Sequence, residues 1–155
     1  MGKLEVGNSA KRSIHHVTNL PTYQLSPVIL FDGVCNLCNG FVQFVIARDP
    51  AARFHFAALQ SESARRLLAR VDGLGEVPDS VVLVDRGRVY TRSSAALRIA
   101  RGLPFPWSLA RAVIVVPRPL RDWVYDRVAR HRYQWFGRKD VCMMPTADLR
   151  ARFLE

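Results

Sequence analysis

The stretch VILFDGVCNLC, from Val28 to Cys38, decides the fold. Its first four residues form a continuous apolar run that ends at Asp32-Gly33, which predicts a strand buried on both faces of a sheet. The apolar residues that follow recur at helical spacing over Asn36 to Arg48, so the strand turns directly into a largely buried helix. A strand joined to a helix by so short a turn indicates the start of an α/β domain.

The rest of the chain extends this beginning to the element order βαβαββα. Two strands on either side of a short Asp-Arg-Gly turn predict a hairpin, and paired serines before the next helix occupy the position of an N-cap. The predicted segments are a strand over Arg53–Ala57, a helix over Ser61–Val71, hairpin strands over Ser80–Val84 and Arg88–Tyr90, a helix over Ala95–Arg101 behind Ser93-Ser94, a helix over Trp107–Val116, and a last helix that carries Pro119 in its first position and ends near Gly137. Leu120, Trp123, Val124, Val128 and His131 recur at helical spacing on this last helix and predict its packing face.

Length and composition limit the domain organisation. A chain of 155 residues and 17.6 kDa is long enough for one domain with a substantial core. Three cysteines are too few for a disulfide-stapled scaffold. We expect a polar N-terminal arm over 1–26, a core over 27–103 and a helical extension over 104–155 that packs on this core. No apolar stretch is long enough to span a bilayer and no secretory signal is visible, so we expect a cytoplasmic location.

The net charge of +10 is concentrated in the second half, because residues 92–139 hold 11 basic and 2 acidic side chains. Most basic residues are arginines, which pair bidentately with phosphate and carboxylate groups. An acidic partner is one interpretation of this face, and ordinary solvated helix faces are another. No nucleic-acid motif accompanies the arginines, so no specific nucleic-acid partner is expected. A membrane-surface role of the basic helix from Pro119 to Lys139 is a third interpretation.

Cys35 and Cys38 are the candidate catalytic residues. A thiol at a helix N-terminus faces unpaired backbone N–H groups and the positive end of the helix dipole, which favours the nucleophilic thiolate. Cys38 lies one turn deeper on the same helical face, close enough to resolve a mixed disulfide that Cys35 forms with a substrate. Because such a dithiol itself carries two electrons, no bound cofactor is required.

Two other interpretations of these cysteines remain open. A zinc site needs two further ligands, and the available ones, Cys142, His55, His131 and the pair His15-His16, do not stand at a zinc-finger spacing. Two inert core cysteines are disfavoured because the first turn of a helix is seldom fully buried.

Several segments resemble the DCC family of thiol-disulfide oxidoreductases, which is named for an Asp-Cys-Cys motif. Here the pattern D-x-x-C-x-x-C is formed by Asp32, Cys35 and Cys38. The resemblance implies a thioredoxin-like fold and dithiol chemistry, with a protein or small-molecule thiol or disulfide as substrate and a thiol system as electron donor. The segments that carry it are Phe31–Gly40, Phe56–Ser61, Asp79–Val84, Ser93–Leu97, Trp123–Asp126, Arg132-Tyr133 and Phe136–Arg138.

The same resemblance suggests roles for other residues. Thioredoxin-like folds carry a cis-proline beside the dithiol, so we expect a cis Val77-Pro78 bond that shapes the substrate-facing backbone. Glutaredoxin-like proteins bind the glutathione carboxylate at the helix N-terminus where Ser93-Ser94 stands here, so both serines are candidate substrate-binding residues, with capping as the alternative. Asp32 either tunes or accepts the proton of Cys38, or forms an Asx turn or cap. Cys142 is either a third redox thiol or a free surface thiol.

The sequence therefore predicts an α/β protein with a thioredoxin-like fold and an added helical C-terminal segment. Its predicted function is that of a thiol-disulfide oxidoreductase of the protein-disulfide reductase type. The alternative is a non-catalytic binding module that uses its arginine-rich helices to hold an acidic partner and keeps the cysteines as a structural or zinc-binding clip.

Overall fold

The computed structural model describes residues 26–70, 80–140 and 146–154. Strands and helices alternate as far as a β-hairpin, and helical segments follow. The elements are β1 (Val28–Phe31), α1 (Asn36–Ala47), β2 (His55–Ala58), α2 (Glu62–Leu68), β3 (Val82–Asp85), β4 (Arg88–Thr91), α3 (Arg92–Gly102), a 3₁₀ segment (Trp107–Val115), α4 (Arg118–Phe136) and a last 3₁₀ segment (Ala147–Arg152).

The four strands form one sheet in the order β2-β1-β3-β4. β1 pairs in parallel with β2 and antiparallel with β3, and β3 continues into β4 through the hairpin. This mixed sheet with helices on both faces confirms the predicted fold class, an α/β architecture consistent with a thioredoxin-like fold. β1 is therefore an inner strand, and the residues that follow it lie near the middle of one end of the sheet.

Burial of β1 on both faces, predicted from its continuous apolar run, is confirmed. Successive side chains of a strand point to opposite faces, and all four residues of β1 are buried. Ile29 and Phe31 pack in the cluster that includes α1 and α3, whereas Val28 and Leu30 pack in the cluster that includes α2. A strand between two layers of helices has no solvent-facing side, so every position is apolar.

The start of α3 differs from the prediction. The helix begins at Arg92 with Thr91 as its N-cap, so Ser93 and Ser94 lie in the first helical turn. Ser93 is buried and its hydroxyl donates a hydrogen bond to the Asp122 carboxylate of α4. The hydroxyl is therefore used in helix-to-helix packing, and the predicted cap at Ser93-Ser94 is wrong.

The direction in which α4 faces also differs from the prediction. Its apolar residues Leu120, Trp123 and Val124 are half or more exposed, although their helical spacing indicated a core-facing stripe. The buried residue of α4 is instead Arg132. The face of the helix that contains Arg132 is turned toward the core. This orientation places a charged side chain next to the dithiol.

The last residues return to the sheet beside β2. Phe153 forms a parallel bridge with Phe56, and the Leu154 N–H donates to the Phe56 carbonyl at 2.8 Å. The Arg152 guanidinium reaches the buried Asp49 carboxylate at 2.5 Å. These contacts attach the C-terminal segment to the edge of the sheet.

Candidate active site

The sheet and α1 position the two cysteines. Because β1 ends in a tight turn, closed by a hydrogen bond from the Cys35 N–H to the Asp32 carbonyl at 3.2 Å, Cys35 becomes the N-cap of α1. The first turn of α1 contains no acidic residue, so the positive end of the helix dipole at Cys35 is not opposed from within the helix. Cys35 and Cys38 are both free thiols, and both are buried.

Cys38 holds a thiol that resists ionisation. Burial raises the pKa of Cys38 to about 12, and the neighbouring Cys35 thiol adds to this increase. The negative charge of Asp32 acts in the same direction, while a backbone hydrogen bond from Asp32 opposes it. Cys38 is therefore protonated at neutral pH as long as Cys35 beside it is a free thiol.

Asp32 is the centre of a buried hydrogen-bond network. One carboxylate oxygen accepts from the Val34 N–H at 3.2 Å, which is an Asx turn, and from the Gln60 side chain at 2.9 Å. The other oxygen accepts from the Arg132 guanidinium at 3.3 Å and from the Tyr133 hydroxyl. The network joins the β1–α1 turn to the segment that follows β2 and to α4, both of which are distant from the turn in sequence.

These hydrogen bonds decide the charge of Asp32. Burial alone raises the pKa of the carboxyl, but the bonds from Tyr133 and Gln60, followed by those from Val34 and Arg132, outweigh burial and hold the pKa below its usual range. Asp32 is thus a carboxylate at neutral pH. In turn, burial and the bond to Asp32 raise the pKa of Tyr133 to about 12, so the phenol remains a proton donor.

Arg132 completes a buried ion pair with Asp32. The two side chains are 7% and 1% exposed. Attraction at such a site offsets the loss of hydration only while both charges are present, so removing either charge lowers the stability of the fold. Sequence reasoning named Arg132-Tyr133 as part of the family resemblance and missed their role here, since nothing in the pattern indicates a contact across 100 residues.

A short segment of chain after α4 covers Cys35. We call Gly137–Lys139 the strap. The Lys139 N–H donates to the Val34 carbonyl at 2.8 Å, the Asn36 N–H donates to the Gly137 carbonyl at 3.4 Å, and Cys35 and Arg138 form an antiparallel bridge between them. Cys35 is 0% exposed as a result. The expectation that the first turn of this helix would be open to solvent is therefore wrong, because the strap covers it.

A small apolar cavity lies on the other side of the dithiol. Its volume is about 170 Å³, and α1, α3 and α4 contribute to its wall. Cys38 reaches this cavity, whereas Cys35 is not among its lining residues. The apolar wall accounts for the burial that raises the pKa of Cys38. The lining side chains are Leu37, Cys38, Phe41, Ser80, Val81, Ala96, Tyr125, Val128, Ala129 and Arg132.

Several predicted site residues are not part of this arrangement. Val77, Pro78 and Cys142 lie outside the described residues, as do His15 and His16 of the zinc alternative. Within the described ranges, no three histidine, cysteine or acidic side chains come together in a way that could hold a metal ion. Ser93 is engaged by Asp122, as stated above. Ser94 lines a separate arginine-rich pocket on the outer side of α3.

Comparison with known proteins agrees with this geometry. The sequence model of the DCC1-like thiol-disulfide oxidoreductase family matches residues 29–138. The chain is 48% identical over 127 residues to the uncharacterized protein YuxK of Bacillus subtilis, covering 82% of this chain and 93% of that protein. It is also 48% identical over 121 residues to a chloroplastic DCC family protein of Arabidopsis thaliana, covering 75% of this chain and 68% of that protein.

No solved structure matches the chain. In the part of the chain that the structure describes, no helix combines the length and apolar character needed to cross a membrane. The family match extends from β1 through the dithiol and the Asp32 network to the strap. The chain belongs to the DCC1-like thiol-disulfide oxidoreductase family.

Proposed function

We propose that this protein is a thiol-disulfide oxidoreductase in which Cys35 is the nucleophile and Cys38 the resolving thiol. The observation that carries the proposal is the position of both cysteines on the first turn of α1, with the charged Asp32 network beneath them. A pair of this kind exchanges two electrons with a substrate without a bound cofactor.

The reaction proceeds in two exchanges. The Cys35 thiolate attacks one sulfur of the substrate disulfide, which forms a mixed disulfide and releases the first substrate thiol. The Cys38 thiolate then attacks the Cys35 sulfur, which forms the Cys35–Cys38 disulfide and releases the second substrate thiol. The substrate is reduced by two electrons, the dithiol is oxidised by two electrons, and an external thiol system restores it.

The order of these steps follows from the environment of Cys38. Part of the rise in its pKa comes from the charge and the hydrogen bond of Cys35. Once the Cys35 sulfur is held in a mixed disulfide, it carries no thiolate charge and no longer accepts a strong hydrogen bond from the Cys38 thiol. The pKa of Cys38 then falls, so that capture of the substrate prepares the second thiol for attack.

Asp32 has a tuning role in this proposal. Its pKa is held below 3.8 while that of Cys38 is about 12, so the carboxylate is a weak base toward this thiol in the reduced protein. Its charge instead disfavours ionisation of Cys38. A direct proton relay through Asp32 is the alternative, and a pH profile of the second exchange step in Asp32→Asn distinguishes the two roles.

A protein disulfide is the proposed substrate, and the strap supports this choice. The backbone on either side of Cys35 already pairs with an extended segment, Gly137–Lys139. An extended stretch of a substrate polypeptide offers the same backbone donors and acceptors, which is the principle of β-strand addition. We further propose the reductase direction, in a cytoplasmic thiol pool. Val77, Pro78 and Ser94 remain proposed substrate contacts, and Ser93, whose hydroxyl is bonded to Asp122, would contribute only through its backbone.

The test is a redox titration of the full chain under metal-free conditions, with thiols followed by alkylation and mass. We expect a reversible two-electron couple, together with a mixed disulfide that accumulates in Cys38→Ser and is absent from Cys35→Ser. A pair that never oxidises, or that is blocked by stoichiometric zinc, refutes the proposal and favours the structural or zinc-binding alternative.

A further inference from the structure

The 3₁₀ segment and the first half of α4 expose an unusually apolar surface. Val115 is 85% exposed, Ile114 67% and Trp123 63%. Leu109, Val113, Leu120 and Val124 are also roughly half exposed. Single exposed apolar residues are common, but a run of this size on two adjoining elements marks an interaction surface.

An apolar groove runs through this surface. Its volume is about 500 Å³, and Val113 of the first 3₁₀ segment and Val116 directly after it line the groove together with Leu120 and Val124 of α4. Leu97 of α3 also lines it. The same α4 residues that the sequence predicted as core therefore form the wall of an open groove.

The groove adjoins a pocket of about 570 Å³ that contains five arginines. Leu97 and Arg121 line both, so the two spaces share a wall. No carboxylate is among the described residues that line the pocket, and the buried Nε of Arg121 has no hydrogen-bond partner within the described part of the chain. The arginines are Arg98, which stacks on Tyr90 at 3.7 Å, Arg101, Arg111, Arg118 and Arg121.

The charges around the apolar surface are predominantly positive. Residues 98–130 contain seven arginines and two aspartates. Both aspartates have partners in the structure, since Asp122 accepts from Ser93 and lies 3.6 Å from Arg118, while Asp126 pairs with Arg92 at 3.3 Å. The apolar surface is thus bordered by cations that attract phosphate groups.

We propose that this surface docks the protein on a membrane that contains anionic phospholipids. Headgroup phosphates bind in the arginine pocket, and Ile114, Val115 and Trp123 enter the interface between headgroups and acyl chains. This combination of an apolar face with an arginine border is the one that interfacial binding requires. A purely acidic partner leaves the apolar groove unexplained, and the assignment is independent of the redox proposal.

The experiment measures co-sedimentation of the full chain with vesicles of phosphatidylcholine alone or mixed with phosphatidylglycerol. We expect binding to the anionic vesicles and little to phosphatidylcholine. Arg101→Gln combined with Arg121→Gln should weaken partitioning by roughly thirty-fold, because each basic residue near an anionic surface contributes about fivefold. The matched control removes two exposed arginines of α2, Arg65 and Arg66, on the other side of the sheet, and should have a much smaller effect.

A second variant tests the apolar part. Ile114→Ser combined with Val115→Ser keeps the charge and should also weaken binding to anionic vesicles, with thermal unfolding measured to show that the domain is intact. Equal binding to both kinds of vesicle, equal losses in the α2 control, or no binding at low salt overturns the proposal. So does a change of oligomeric state in the serine variant with vesicle binding unaltered, because a second copy then covers the surface.

Discussion

The reactivity of Cys35 should be controlled by how often the strap opens. Cys35 is 0% exposed, so an alkylating reagent reaches it only after Gly137–Lys139 separates from the β1–α1 turn. When opening and closing are fast relative to alkylation, the observed rate is the intrinsic rate multiplied by the open fraction. Any change that weakens the strap should therefore accelerate alkylation in proportion.

Lys139→Pro is the sharpest perturbation of this equilibrium. It removes the N–H that donates to the Val34 carbonyl at 2.8 Å. Proline also favours an extended backbone at the residue before it, Arg138, which matches the antiparallel bridge that Arg138 forms with Cys35. A backbone hydrogen bond contributes about 0.5–1.5 kcal/mol net. Since about 1.4 kcal/mol is a tenfold change in an equilibrium constant, alkylation should accelerate by roughly 2- to 13-fold.

The assay is the pseudo-first-order rate of iodoacetamide labelling in a Cys38→Ser, Cys142→Ser background, which leaves Cys35 as the sole thiol of the three. Lys139→Ala is the matched control, because it removes the same side chain and keeps the N–H. Its rate should stay within about twofold of the parent. If Lys139→Pro reacts no faster than Lys139→Ala, the strap does not limit access and the reasoning is refuted.

Three further predictions concern the strap, the ion pair and the C-terminal segment. Gly137→Ala should also accelerate labelling of Cys35, since Gly137 has φ +79° and an added Cβ would lie 3.1 Å from the Asn36 amide. The control is Gly87→Ala, because Gly87 has φ +73° in the β3–β4 turn and the substitution introduces comparable backbone strain away from the site. It should leave the labelling rate unchanged. Asp32→Asn should lower the free energy of unfolding by about 3–5 kcal/mol at neutral pH, because it removes the buried carboxylate charge to which the Arg132 guanidinium and the Tyr133 hydroxyl donate. Because the folded pKa of Asp32 is depressed below 3.8, its contribution is complete above that value and is lost as the pH falls through the folded pKa, so the urea midpoints of wild type and variant should converge in acid. Tyr133→Phe keeps the ion pair and removes one hydrogen bond to the carboxylate, so it should lose about 1.5–3 kcal/mol. A loss larger than that of Asp32→Asn contradicts the assignment. Phe153→Ala should lower the free energy of unfolding by about 2–3 kcal/mol, since the Phe153 ring lies 5.5 Å from that of Phe56. This loss is smaller than that expected for a fully buried phenylalanine. The control, Phe105→Ala, changes a side chain that is 77% exposed and should have almost no effect.

The elements that depend on local patterns were predictable from the sequence. β1 is a continuous apolar run and α1 has helical spacing, and both lie where the sequence indicated. The hairpin is fixed by a short turn in which Arg86 and Gly87 both adopt positive φ. The position of Cys35 at the start of α1 follows from these same patterns, because strand, turn and helix leave only one place for it.

The orientation of α4 was not predictable in the same way. This helix carries two candidate stripes that share Val128. One holds Leu120, Trp123, Val124 and His131, and the other holds Tyr125, Ala129 and the charged Arg132. Periodicity favours the first stripe as core. The structure turns the second toward the cavity at Cys38, where Arg132 is buried and pairs with the Asp32 carboxylate. A partner 100 residues away leaves no mark on a local pattern.

The buried network and the strap follow from one another. α4 must approach the dithiol closely for Arg132 and Tyr133 to reach Asp32, and the chain then leaves the helix at Gly137, four residues later, directly above Cys35. The positive φ of Gly137 turns the backbone into the antiparallel bridge. The hydrogen bonds from Arg132 and Tyr133 that keep Asp32 ionised near Cys38 therefore also position the strap over Cys35. A substrate that displaces the strap need not disturb the ion pair, because the strap is held by backbone hydrogen bonds to Val34 and Asn36. Asp32 is held separately, by the Val34 N–H and by side chains that follow β2 and lie on α4.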